Sequence, residues 1–325
     1  MAAEARTLRI GTRGSALALW QADEVGRRLL NNEPELRLER VVVPTLGDRA
    51  LDARPADLGE VGVFTKELEQ ALLRGEADVA VHSLKDLPTR ETDGLEVVAI
   101  LEREDPRDAL VGPPGLTLAT LPRGARVGTS SLRRRAQVLH RRPDVRVLDL
   151  RGNVPSRLDK LRRGEFDAVV MALAGLKRLG LQDAVTHVFD PDELLSAPGQ
   201  GAVAVQVRRD DPFARSRAAR LDHLATRVVV AAERTVLARL EAGCHAPVGA
   251  LAQWDGAFID LRAVVAHPDG NPVERRRDRR AVASETEARA CAVAIADDLL
   301  ASGVARLLAR QPRAGAQGPT TAEGR

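Results

Sequence analysis

Short apolar runs alternate with amphipathic helical segments through the first two hundred residues. Strands are predicted at Leu8–Gly11, Leu38–Val43, Asp78–Val81, Val97–Leu101, Arg126–Gly128, Val145–Leu150 and Ala168–Met171. Helices are predicted at Ser15–Leu30, Phe64–Arg74, Leu132–Arg141 and Val154–Arg163. Strand, helix, strand at this spacing predicts an α/β fold on mostly parallel sheets. A third region begins near Leu224. Thr226–Leu240 reads as a helix, with Gly243 placed to close it. Strand-like runs follow around Val248–Gln253 and Ala257–Val265, and His267-Pro268-Asp269-Gly270 fits a hairpin turn. Glu285–Leu300 is a last amphipathic helix, and the residues after it from Gln311 have no periodicity and read as a disordered tail.

Two internal echoes suggest that the first two hundred residues contain one plan twice. Arg74-Gly75-Glu76-Ala77-Asp78 precedes a predicted strand, and so does Arg163-Gly164-Glu165-Phe166-Asp167. Gly11-Thr12 and Gly128-Thr129 each end a strand just before a helix. The extra chain in the first half includes the polar segment Thr45–Gly62, a candidate lid. Both Gly-Thr turns lead to helix N-termini rich in hydroxyls, Ser15 in one and Ser130-Ser131 in the other. Such ends favour anions, although each serine also suits a plain N-cap.

Charge changes the picture more than composition does. The 325 residues carry a net charge of +3 and are 44% apolar, which fits two or three folded domains. Aromatic residues make up 2%, with no Tyr, which argues against a nucleic-acid reader built on stacking platforms. Between Arg123 and Arg163, however, twelve arginines and Lys160 face Asp144, Asp149 and Asp159, a local charge of +10. That field points to an anionic ligand; the alternative is a solvated helix face. The two cysteines allow no disulfide framework and no cluster suggests a metal. No apolar leader and no membrane-length apolar run are evident, so a cytoplasmic protein is expected.

Two places carry candidate chemistry. His82-Ser83-Leu84-Lys85-Asp86-Leu87-Pro88 follows a strand, where active-site groups collect in α/β folds. The adjacent Lys85 and Asp86 can bind a charged ligand and move protons, or form a surface ion pair. Cys244, in Gly243-Cys244-His245, lies in a loop that can present a thiol to a cleft. Cys291 falls at an apolar helical position and reads as core.

Several runs, in order from about Leu8 to about Leu308, resemble the porphobilinogen deaminase (hydroxymethylbilane synthase) family. They are Arg13-Gly14-Ser15-Ala16-Leu17-Ala18-Leu19-Trp20-Gln21, the segment Val81–Pro88, Arg103-Glu104-Asp105-Pro106-Arg107-Asp108 and Gly128-Thr129-Ser130-Ser131-Leu132-Arg133-Arg134. Leu150-Arg151-Gly152-Asn153-Val154, Ala174–Gly180, Gly199-Gln200-Gly201-Ala202 and Gly243-Cys244 complete the series.

The resemblance implies a monomeric, cytoplasmic transferase of tetrapyrrole, porphyrin and heme biosynthesis. It would condense four porphobilinogen molecules head to tail, release four ammonia and yield hydroxymethylbilane. The implied fold is two lobes like type II periplasmic binding proteins plus a smaller α/β C-terminal domain. The expected division is 1–101 with 202–219, then 107–195, then 224–310, with 311–325 a disordered tail. A dipyrromethane cofactor would be thioether-linked to Cys244, and no metal, nucleic acid or membrane is implied. Asp86 is the implied catalytic carboxylate. Lys85, Ser15, Thr129, Ser131, Arg133 and Arg134 would hold the cofactor, and Arg13, Arg151, Arg157, Arg178 and Gln200 the substrate. With two cofactor rings and four substrate rings, twelve carboxylates must be held, a task suited to the planar fork of Arg.

The sequence departs from the family pattern at Gly14, where Gln is common, and at His245, likewise. Glu60-Val61-Gly62-Val63-Phe64 lacks a loop lysine. Arg275–Arg280 has no motif role and reads as a solvated surface run. Two other readings are a two-lobed anion-binding sensor without catalysis and an Arg-rich nucleic-acid binder. The first leaves Cys244 and the third region without a role.

Overall fold

The computed structural model describes residues 6–45, 65–243 and 246–309. The expected lid at Thr45–Gly62, apart from Thr45, lies outside the described residues, as do Cys244, His245 and the expected tail. The first lobe contains β1 (Thr7–Thr12), α1 (Ala16–Asn32), β2 (Arg37–Val42), α2 (Lys66–Leu73), β3 (Val79–Ser83) and β4 (Leu95–Ile100). The second contains β5 (Asp108–Val111), β6 (Arg126–Gly128), α3 (Leu132–Arg141), β7 (Arg146–Leu148), α4 (Val154–Arg162), β8 (Ala168–Ala172), α5 (Leu173–Arg178) and β9 (Val185–Val188). The chain then returns to the first lobe as β10 (Val203–Arg208) and α6 (Pro212–Ala218).

Both lobes are sheets of one plan, β2-β1-β3-β10-β4 and β7-β6-β8-β5-β9. In each, three parallel strands stand in the order second, first, third. An antiparallel strand follows, β10 in one and β5 in the other, reached by a segment that crosses between lobes. This mixed α/β, doubly crossed arrangement agrees with the two-lobed plan expected from the family resemblance. The central strands β3 and β10 are buried on both faces, so their sequences are nearly continuous apolar runs. The edge strand β2 is largely exposed and carries Arg37, Glu39 and Arg40, charges that discourage pairing with another chain. Helix α1 buries Ala18, Ala22, Val25 and Leu29, a stripe at helical spacing against that sheet.

The echo read from the sequence is a structural repeat. Gly75 and Gly164 take φ of +69° and +73°, a left-handed turn that favours glycine. Arg74 pairs with Glu76, and Arg163 with Glu165. Asp78 accepts the backbone N–H of Arg9 at 2.9 Å, and Asp167 that of Arg126 at 2.7 Å. In register, Ile10 opposes Val79 and Val127 opposes Ala168. A Cβ on Gly11 would lie 3.0 Å from Ala77, and one on Gly128 2.9 Å from Phe166, so both positions need glycine for close packing.

The third domain sets α7 (Leu224–Arg239) and α8 (Glu285–Ala301) against the sheet β11 (Val248–Trp254), β12 (Phe258–Ala266), β13 (Val273–Ala281). Its core includes Val228, Val236, Ile259, Leu261, Ile295 and, as expected from its spacing, Cys291. Two local expectations are corrected. Arg275–Arg280 forms most of β13 and is not merely a solvated run. Its strand character was hidden because carboxylates satisfy the guanidiniums: Arg276 pairs with Asp298 and Arg277 with the cross-strand Asp260. The left-handed residue after α7 is Glu241, at φ +50°, not Gly243. The Ala242 N–H reaches back to the Leu237 carbonyl, so the chain turns two residues earlier than the glycine suggested. Among the described residues, no helix is long and apolar enough to cross a membrane.

Candidate active site

β3 runs through the middle of the first sheet and ends at Ser83, where a single 3₁₀ turn, Leu84–Asp86, begins. Buried Leu84 anchors that turn, while Lys85 and Asp86 remain partly exposed. Ser83 is fixed by the side chain of Gln21 on α1, at 2.9 Å. His82 sits behind the turn, fully buried. Its Nε2 shares a 3.1 Å hydrogen bond with Gln206, which donates in turn to Glu69. Burial, aided by the charge of Arg13, pushes its imidazole down to about 4, so His82 is a neutral structural group.

A small cleft opens beside this turn, between the two lobes. Lys85, Arg134, Arg157 and Arg178 line it, together with Ser83, Leu17, Val154 and Met171. Cations from both lobes therefore share one partly apolar space. Burial pushes Lys85 down to about 8, against the opposing pull of Asp86. Burial likewise brings Arg157 to about 10, with Arg134 and Arg151 adding to the fall and Asp86 opposing it. Asp86 thus feels Lys85 of its own lobe and Arg157 of the other. Arg178 donates to the Gly201 carbonyl at 2.6 Å and lies over the Trp20 ring at 5.4 Å.

Below the cleft is a polar hub that the motif reading did not foresee. Asp108, the first residue of β5, is fully buried. It accepts from Arg133 at 2.6 Å, from Arg134 Nε at 2.9 Å and from Gln200 at 2.9 Å. Although burial works to raise it, the two guanidiniums hold its carboxyl at about 2. Arg133 also donates to the Leu195 carbonyl and is not among the residues lining the cleft. Gln200 is buried too. Its oxygen accepts from Lys85 at 3.3 Å and Arg134 at 3.4 Å, and its amide donates to the Pro106 carbonyl and Asp108. The signal for Asp108 was an acid opening an apolar run, but its partners stand 25, 26 and 92 residues away.

Two of the predicted hydroxyls, those of Ser15 and Ser131, are helix caps. Ser15 accepts from Ala18 N–H at the start of α1, and Ser131 from Arg134 N–H at the start of α3. Thr129 accepts from Ser131 N–H at 3.2 Å. Arg151 stands beside Arg157, close enough to lower it, and Arg13 lies near His82.

A four-cation cleft backed by a buried Asp108 hub matches a ligand with many carboxylates. The family model "Porphobilinogen deaminase, dipyromethane cofactor binding domain" matches residues 8–216, and "Porphobilinogen deaminase, C-terminal domain" matches 228–301. The chain belongs to the porphobilinogen deaminase family. It is 48% identical over 302 residues to porphobilinogen deaminases from two strains of Acidithiobacillus ferrooxidans, across 93% of this chain and 97% of each relative. Among solved structures it is similar to a periplasmic substrate-binding protein of an ABC transporter from Coxiella burnetii, at 15% identity and a TM-score of 0.42. That match covers 66% of this chain and 92% of the other. The methionine-binding protein MetQ gives 12% identity, a TM-score of 0.44 and coverage of 67% and 90%.

The chain is therefore a hydroxymethylbilane synthase that works on a dipyrromethane cofactor. The donor set fits that group. Dipyrromethane bears acetate and propionate arms on flat apolar rings, and the cleft offers guanidinium and ammonium donors beside Leu17, Val154 and Met171.

Proposed function

We propose that Asp86 is the catalytic carboxylate of this synthase and that the surrounding cations hold the acidic arms of cofactor and substrate. The observation that carries this reading is that Asp86, next to cleft-lining Lys85 on the turn after β3, acts electrostatically on both Lys85 of the first lobe and Arg157 of the second. When bound, dipyrromethane supplies the free pyrrole α-carbon that attacks the first substrate.

Arg13, Arg151, Arg157 and Arg178 hold the arms of the incoming porphobilinogen. Lys85 and Arg134, with the capped helix ends at Ser15, Thr129 and Ser131, hold those of the cofactor. In this reading Arg133 and Gln200 act through Asp108, fixing Arg134 and Lys85 in place. Asp86 accepts the pyrrole N–H of porphobilinogen and steadies the positive charge that develops as ammonia leaves. After the new carbon–carbon bond forms, it takes up the proton released from the attacking carbon. Asp86 then gives that proton to the aminomethyl nitrogen of the next porphobilinogen, which leaves as ammonia, so donation and acceptance alternate on one carboxyl group. Cys244 acts as a nucleophile once, at cofactor attachment, and is an anchor afterwards.

The same reading divides the chain into 1–101 with 202–219, 107–195 and 224–310, and takes the protein as cytoplasmic and monomeric. Intact mass of the purified protein tests it. A covalent adduct of two pyrrole units is expected, absent from Cys244→Ser. An unmodified mass in an active preparation refutes the cofactor assignment.

A further inference from the structure

Arg234 belongs to none of the runs that carry the family resemblance, and it is not among the residues lining the cleft. It nevertheless grips the catalytic turn. Its Nη1 donates to the carbonyls of Leu84 at 3.2 Å and Leu87 at 3.0 Å, and its Nη2 to that of Pro88 at 2.6 Å. These carbonyls bracket Lys85 and Asp86 in the chain. The turn is closed by a backbone bond from the Leu87 N–H to the Leu84 carbonyl at 3.2 Å and entered through the Leu84 N–H to the Ala202 carbonyl at 3.0 Å. Three residues in 3₁₀ geometry are weakly held on their own. A planar guanidinium that spans three carbonyls fixes the turn's pitch, and with it the direction in which Asp86 projects.

The place of Arg234 in the chain gives this contact further meaning. It lies on α7 of the third domain, ten residues before Cys244. Its neighbour Glu233 is fully buried. It accepts from Arg103 at 2.7 Å, from Gly199 N–H at 2.8 Å and from Ala252 N–H at 2.9 Å. Arg103 and Gly199 stand on the two segments that cross between the lobes. Adjacent residues of one helix thus hold the hinge and the catalytic turn, and the same helix leads to the anchoring cysteine. We propose that Arg234 is a positioning residue for Asp86, tying the catalytic turn to the domain that carries the cofactor anchor. The inference rests on Asp86 being the catalytic carboxylate.

The experiment is single-turnover and steady-state condensation of porphobilinogen by holoenzyme whose cofactor content is verified by mass. Arg234→Lys keeps the charge and loses the fork. It is expected to lower kcat about 10- to 100-fold with KM unchanged. In an Asp86→Glu background, where the carboxylate is already displaced, the same substitution is expected to cost about threefold or less. An equal loss in both backgrounds, a wild-type rate for Arg234→Lys, or a raised KM at unchanged kcat overturns the proposal. If Arg234→Lys does not fold, Arg234→Gln is judged by the same criteria. Turnover near wild type in Asp86→Asn would instead bring down the reading of Asp86, so the two failures are told apart.

Discussion

The two lobes share strand order, turn glycines and an Asp that ties the third parallel strand to the first, yet they contribute opposite chemistry to the cleft. By strand register, Val79 of β3 corresponds to Ala168 of β8. Counting on from there, Lys85 and Asp86 correspond to Ala174 and Gly175. Where the first lobe places an ammonium and a carboxylate, the second places small residues, and Lys85, Ala174 and Gly175 line the same cleft. The second lobe instead projects Arg134 from α3, whose counterpart α1 carries Ala and Leu there, and Arg157 from α4, whose counterpart α2 carries Leu68. On the proposed reading, the duplicated scaffold carries the reacting carboxylate on one lobe and most of the gripping guanidiniums on the other. The anchoring Asp differs in the same way. Asp78 is fully buried among Arg6, Arg9 and Arg208, whereas Asp167 is half exposed beside Arg126.

This division can be broken by experiment. The largest effect is expected at the reacting lobe: Asp86→Asn should lower single-turnover condensation about 1,000-fold or more, while Asp86→Glu keeps measurable turnover. Equal activity in the two variants would remove the carboxylate from the chemistry. Next comes the gripping lobe. Arg157→Ala should reduce kcat/KM about 10- to 100-fold, as expected for a buried charge-assisted contact. Arg162→Ala, in the same basic segment but exposed and paired with Asp159, should leave kcat/KM unchanged. If both lose alike, the +10 segment acts as a diffuse field and not as a set of grips.

The last contrast concerns the scaffold and is expected in stability. Asp78→Asn should lower unfolding free energy by about 3 kcal/mol in urea titrations, and Asp167→Asn should remain close to wild type. The pH dependence follows from the sign of the shift. The carboxyl of Asp78 is held at about 2, below its ordinary 3.8, by Arg9 and Arg6 against burial. Its stabilisation is therefore complete above about pH 4 and is lost as pH falls toward 2. Asp78→Asn should flatten that part of the acid-stability curve, and an unchanged curve would count against the burial contrast.

Much of the scaffold was legible because its signals are local. Arg126–Gly128 and Leu132–Arg141 were read to the residue, since periodicity and a Ser cap act over a few positions. The repeated Arg-Gly-Glu-x-Asp unit announced the duplication for the same reason. The short strands β5 and β9 were missed, being four residues each with neighbours far along the chain. β13 was missed because its arginines looked solvated while carboxylates on β12 and α8 satisfied them.

For the site, the motif residues Lys85, Arg134, Arg157 and Arg178 meet in one cleft, but the motifs did not give the state of each charge. Arg133 and Arg134 are adjacent in sequence and equal in composition. Only the fold shows that both pair with Asp108 and a backbone carbonyl, and that Arg134 alone of the two also lines the cleft. Gln200 likewise looked like a ligand contact, and its buried amide proves to join Lys85 to Asp108.

Residue order alone determined an α/β fold with a repeated plan, a basic segment and a Lys-Asp pair at a strand end, because propensity, periodicity and turn chemistry depend on near neighbours. Tertiary structure alone decided which cations face a common space, which are matched within the protein, and that Arg234 braces a turn some 150 residues away. Charge pairing and burial depend on distance in space, and no local pattern in the chain encodes that distance.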